Sequence, residues 1–78
     1  MKTWRKTAKD FLVKTTLSDF WAALNEAKIT KNDQNVLSDR FVKGKSIVEI
    51  SMEYGYSIEK VNKIISTAYD KIYRMLTA

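Results

Sequence analysis

Gly55 constrains this chain more than any other residue. It is one of two glycines in a sequence without proline, and it divides two runs whose apolar residues recur at helical spacing. In the first run, Ser46 is followed three residues on by Glu49, the capping-box pattern that opens a helix. Ile47, Ile50 and Tyr54 then fall on one face. A residue just past a helix end often takes positive φ, which glycine adopts without steric cost, so Gly55 should stop this helix. Ser57 caps a second one, in which Val61, Ile65, Ala68, Ile72 and Leu76 form a continuous apolar seam. A short helix of about residues 46–54, a tight turn and a longer helix of about residues 58–76 make the layout of a helix-turn-helix. In that motif the second helix enters the major groove and the first lies across the backbone. Two amphipathic helices around a glycine also occur in small bundles that touch no nucleic acid, so the pattern alone does not decide.

The surrounding residues sharpen it. The run Gly44-Lys45-Ser46-Ile47-Val48-Glu49-Ile50-Ser51, followed by Gly55, Ser57, Val61 and Ile64, resembles region four of bacterial sigma factors and related sigma-like regulators of phages and mobile elements. The likeness extends upstream over residues 33–42 and downstream to about Arg74. Ser51 stands where that family usually has alanine, Tyr54 where it has leucine, and the second helix is less basic than the family norm. The resemblance implies a DNA-reading hairpin on a scaffolding helix, a role in transcription regulation, and double-stranded DNA as partner, with RNA polymerase or another protein as a further one.

Composition sets limits on the alternatives. Seventy-eight residues suffice for one domain, and a chain of that size buries only about 60% of its unfolded surface, so dimerisation would help. The absence of cysteine removes disulfides and thiolate metal sites, and the absence of histidine removes the commonest general base and metal ligand. No phosphate-loop pattern occurs, and Asp33, Asp39, Glu49 and Glu53 are accounted for by caps and surface. No enzyme activity, metal or cofactor is therefore expected. Periodic Lys, Glu, Leu, Ile and Ala predict an all-α bundle of four to five helices. Residues 1–16 form a basic segment, 17–44 scaffold helices, and 45–78 the hairpin with its carboxy-terminal helix. No apolar run approaches the ~20 residues of a membrane span, and the basic amino terminus lacks the continuous apolar stretch of a secretory signal. The expected location is the cytoplasm.

Charge is unevenly placed. Lys2, Arg5, Lys6, Lys9 and Lys14 face Asp10 alone, so residues 1–16 hold +4 of the net +5. Residues 2–14 read as a helix with Trp4, Ala8, Phe11 and Leu12 on one side and Lys2, Arg5, Lys6 and Lys9 on the other. That helix either lies along DNA phosphates or docks through Trp4 and Phe11 with a merely solvated basic face. Thr16 with Asp19 opens a helix over residues 17–27, in which Leu17, Phe20, Trp21 and Leu24 make the cleanest apolar stripe of the chain. Thr30 with Asp33 gives a third capping box, and Gly44 closes the helix, which turns Val36, Leu37 and Phe41 inward. Asp39 and Arg40 read as surface charges, Arg40 within reach of a structural salt bridge. Tyr69, Ile72, Tyr73, Met75 and Leu76 extend past what the hairpin needs. They either pack on the helix of Phe20 and Trp21 or form a two-fold interface.

With Val61, Ile64, Ile65 and Ala68 turned inward, helical geometry sends Glu59, Lys60, Asn62, Lys63, Ser66 and Thr67 outward. Asn62 suits adenine N6 and N7, Lys63 guanine O6 or N7, and Glu59 cytosine N4, with Ser66 and Thr67 further along the same base-reading face. Phosphate contacts fall to Lys60, Ser57, Lys43, Lys45, Ser46 with the amino terminus of its helix, and the basic residues Lys2, Arg5, Lys6 and Lys9. The rival function is a protein-binding module, an adaptor or inhibitor that keeps the hairpin fold and docks on RNA polymerase, a nuclease or another nucleic-acid enzyme.

Overall fold

Three short side chains start three of the helices. The Thr16 hydroxyl accepts the Asp19 backbone N–H at 3.2 Å. Ser46 accepts that of Glu49 at 3.1 Å while the Glu49 carboxylate accepts the Ser46 N–H at 3.0 Å, so both halves of the capping box form. The Ser57 hydroxyl accepts the Lys60 N–H at 3.1 Å. In this computed structural model, which describes residues 3–77 and the side chains of residues 8–77, the order is α1 (Thr3–Lys14), α2 (Leu17–Glu26), α3 (Lys31–Phe41), α4 (Ile47–Tyr54) and α5 (Ile58–Thr77). No strand occurs among the described residues.

The Thr30–Asp33 capping box does not form. Thr30 holds the N-cap position of α3 without a side-chain bond. Gln34 ties this end instead, with its Nε2 donating to the Ile29 carbonyl at 2.8 Å and to Asn25 Oδ1 at 3.0 Å. The preceding turn rests on Lys28 at φ 59°. Its N–H donates to the Asn25 carbonyl and that of Ile29 to the Leu24 carbonyl, the Schellman pattern. Gly55 ends α4 the same way, at φ 69° with the Tyr56 N–H on the Ser51 carbonyl.

Every other helix packs on α5, and α1 is its most extensive neighbour. Val61, Ile64, Ile65, Ala68 and Ile72 are the buried seam of α5. Phe20, Leu24, Val36, Leu37 and Ile50 meet it from α2, α3 and α4, and Ala8 and Leu12 from α1. The basic α1 is thus a docked helix; Lys2 lies outside the described residues, as do the side chains of Trp4, Arg5 and Lys6. Two expected core positions are exposed. Leu17, in the first turn of α2, is 57% exposed and lies with Val13 and Val42 at a shallow apolar recess, because the stripe runs past the end of its cover. Leu76 is 40% exposed for the same reason at the far end of α5, while Ile72 is fully buried and Tyr69, Tyr73 and Met75 are half-buried against the core. Phe20 and Trp21 meet edge to face at 5.4 Å.

A Cβ added at Gly55 would meet nothing within 4 Å, so a substitution there reports backbone strain alone. Gly55→Ala is expected to destabilise by about 1–2 kcal/mol, a fall in Tm of several degrees for a chain of this size, read by thermal denaturation. Gly55→Asn should recover part of the loss.

Candidate nucleic-acid interface

The hairpin of α4 and α5 is set against α3 by a polar clasp. Asp39 is only 5% exposed and accepts the Tyr54 hydroxyl at 2.6 Å. Lys43 Nζ lies 3.5 Å and Lys45 Nζ 3.9 Å from its Oδ1. Lys45 also donates to both oxygens of Glu53 at 2.8 Å, and Arg40 donates to the Lys45 carbonyl at 3.1 Å. This corrects the reading of Asp39 and Arg40 as surface charges: Asp39 is buried, and Arg40 is half-buried on a carbonyl rather than a carboxylate. The physical reason is Tyr54. Where leucine would need only apolar surroundings, the phenol carries a hydroxyl under cover, which needs an acceptor. Burial, then the hydrogen bond to Asp39, pushes the Tyr54 phenol up to about 12.

The clasp changes what the turn at residues 43–46 offers an anion. The Lys45 ammonium is drawn onto Glu53, and that hydrogen bond raises its pKa. The Ser46 hydroxyl and N–H are both engaged in the capping box. Glu49 sits at the same helix end, and the bonds from Ser46 hold its carboxyl below the usual range. An approaching phosphate therefore meets a carboxylate there, contrary to the expectation of free donors. Lys43 reaches solvent, with its side chain 61% exposed.

The outward face of α5 is largely as its periodicity predicts. Glu59, Lys60, Asn62, Lys63 and Thr67 are exposed, and so is Ser57 at the cap. Ser66 is half-buried and stands in the wall of a groove rather than on the crest. Lys60 Nζ lies 4.2 Å from the centre of the Tyr56 ring, which packs at 5.6 Å on Tyr54. A groove runs along each flank of the helix. One, of about 290 Å³, places Asn62 and Ser66 opposite Lys9 of α1 and Arg40 of α3. The other, of about 260 Å³, places Lys60, Lys63 and Thr67 beside Asp33. Arg40, Tyr56 and Asp33 were missing from the sequence-derived site. Only Tyr56, an aromatic inside a tight turn, carried a local signal. Among the described residues no cluster of carboxylates could hold a metal ion, and no helix is long and apolar enough to cross a membrane.

A short helix, a left-handed glycine turn and a serine-capped helix with an exposed polar face, carried on a third helix, define a helix-turn-helix domain. The family described as Sigma-70, region 4 matches residues 27–74, and the chain belongs to that family of DNA-binding helix-turn-helix regions. The match takes in α3, α4 and all but the end of α5, and leaves α1 and α2 outside. No curated protein and no solved structure is significantly similar to the chain.

Because the Tyr54 pKa is raised from 10.0 to about 12, the folded state holds a proton that the unfolded chain releases in that window. Stability contributed by this group is complete below pH 10 and is lost as pH rises through about 12. Urea denaturation across this range should give a shallower alkaline decline for Tyr54→Phe than for the wild type. Equal slopes would remove Tyr54 as the titrating group.

Proposed function

We propose that the chain is a sequence-specific double-stranded DNA-binding transcriptional regulator of the sigma region 4 type, of the small kind carried by phages and mobile elements, and that it works in the cytoplasm. The observation that carries this reading is the uncovered polar face of α5 just beyond the Ser57 cap, in a chain of a DNA-binding family. Asn62 reads adenine and Lys63 guanine, while Glu59 selects cytosine and repels phosphate. Thr67 lies further along the same crest, with Ser66 at its edge. Lys60, Ser57 and Lys43 reach phosphate, joined by Lys2, Arg5, Lys6 and Lys9 of the amino-terminal segment. Lys45 and Ser46 support this surface from behind, through the clasp and the cap.

A second reading is a protein-binding adaptor or inhibitor acting on RNA polymerase or another nucleic-acid enzyme. It is favoured by the engagement of Lys45 with Glu53 and by Glu49 at the α4 amino terminus, which leave the hairpin few free cations. Salt separates the two: duplex binding that weakens steeply with salt and selects sequences supports the DNA reader. A stable protein complex without duplex binding at low salt supports the adaptor.

Selection from a random duplex library, followed by footprinting, is the direct test, and a two-fold symmetric site would indicate a dimer. Asn62→Ala with Lys63→Ala should abolish sequence preference, at a cost of about 1–3 kcal/mol for each specific contact removed. Unchanged preference in the double variant would overturn the base-reading assignment.

A further inference from the structure

We propose that the groove between α1, α3 and α5 seats one backbone phosphate of the duplex, so that α1, outside the family match, is a working part of the DNA interface. The inference rests on the DNA-reading function above and adds to it which strand contact is made and by what.

An α-helix with its side chains is about 10–12 Å across, and the major groove is about 12 Å wide. A recognition helix in that groove therefore has a sugar-phosphate strand near each flank. The two flanks of α5 differ in charge. On one, Asp33 stands beside Lys60 and Lys63. On the other no carboxylate lines the groove; Lys9, Arg40 and Ser66 line it over an apolar floor that includes Phe41 and Ile65, and the exposed Asn62, assigned above to a base, borders it.

A phosphodiester presents two anionic oxygens, and this donor set matches them. Arg40 has five N–H groups, one of which is given to the Lys45 carbonyl. Ser66 is withdrawn from the crest into this wall, where it suits phosphate better than a base edge. An apolar floor lowers the local dielectric and strengthens the attraction of the cations for an anion. Lys9 adds a second cation to the Arg40 of α3, from a helix pinned to α5 through Ala8 and Leu12.

The test is equilibrium binding of the full chain to specific and unrelated duplexes over a range of salt. Lys9→Gln should weaken binding about three- to ten-fold, evenly across sequences, and reduce the slope of log K against log salt by about 1. Lys9→Arg should restore both. Lys14→Gln is the control: five residues further on, it lies about 140° around α1 at ~100° per residue, beside Asp10 and Thr15 rather than in the groove. It should change affinity less than about two-fold. Both lysines are exposed, so thermal melts should be unaffected. Equal losses in the two glutamine variants would reduce the effect to diffuse charge and overturn the seat. Unchanged binding by Lys9→Gln, while Asn62→Ala with Lys63→Ala still erases sequence preference, would remove the seat and leave the reading face intact. Capture of inorganic phosphate by the wild type and not by Lys9→Gln, with duplex binding equal in both, would assign the groove to a free anion instead. No duplex binding by the wild type at low salt would sink both proposals.

Discussion

The seam along α5 is the constraint on which the other helices depend. Each of the four packs on it, and each buried Val or Ile side chain contributes about 1.5–3 kcal/mol relative to exposure. An α-helix whose apolar stripe is fully used on one side must leave its polar side in water. The outward set Glu59, Asn62, Lys63 and Thr67 is thus a consequence of Val61, Ile64, Ile65, Ala68 and Ile72 being inside. A rigid, solvent-facing row of polar side chains follows from packing before any ligand is considered.

The clasp around Asp39 fixes a different coordinate, the pose of α4 against α3. Burying a carboxylate and a phenol is costly unless both are bonded, and no buried side-chain polar atom among the described residues lacks a partner. Tyr54, Lys43 and Lys45 surround Asp39, and Glu53 takes the other side of Lys45. The same bonds that orient α4 withdraw Lys45 from solvent. The cations left to meet a polyanion lie on α5, on α1, at Arg40 of α3 and at Lys43, which shifts the electrostatic weight of the surface away from the first helix of the hairpin.

What was legible in the sequence was local. Ser46 with Glu49, Gly55 and Ser57 are signals complete within a few residues, and the helices they bound stand where those signals put them. The burial of Asp39 depends on Tyr54, fifteen residues away, so no window along the chain contains its cause. Lys28 takes a left-handed conformation that composition does not announce, because the Leu24–Ile29 contact that closes the turn outweighs the cost to a non-glycine residue. Periodicity names the inward face of α2 and α5 but not where the covering helices end, hence the exposed Leu17 and Leu76. Within the site, exposure of the α5 crest was readable. The flanking grooves, and with them Arg40, Asp33 and the withdrawal of Ser66, are products of tertiary packing.

Lys45 and Lys60 show how differently a fold can hold a cation. Lys45 is bonded to two carboxylate oxygens, so its charge is cancelled locally and a phosphate would have to displace Glu53. Lys60 lies over the face of Tyr56, an attraction that leaves the full positive charge in place. The ring restricts where the ammonium can go and so lowers the entropy lost when it meets an anion. Tyr56 is itself steadied by Tyr54, whose hydroxyl is held by Asp39. One chain of contacts therefore runs from the buried carboxylate through two aromatic rings to a cation at the start of the second helix. Tyr54 thus meets Asp39 through its hydroxyl and steadies Tyr56, and with it Lys60, through its ring, while Glu53 neutralises Lys45.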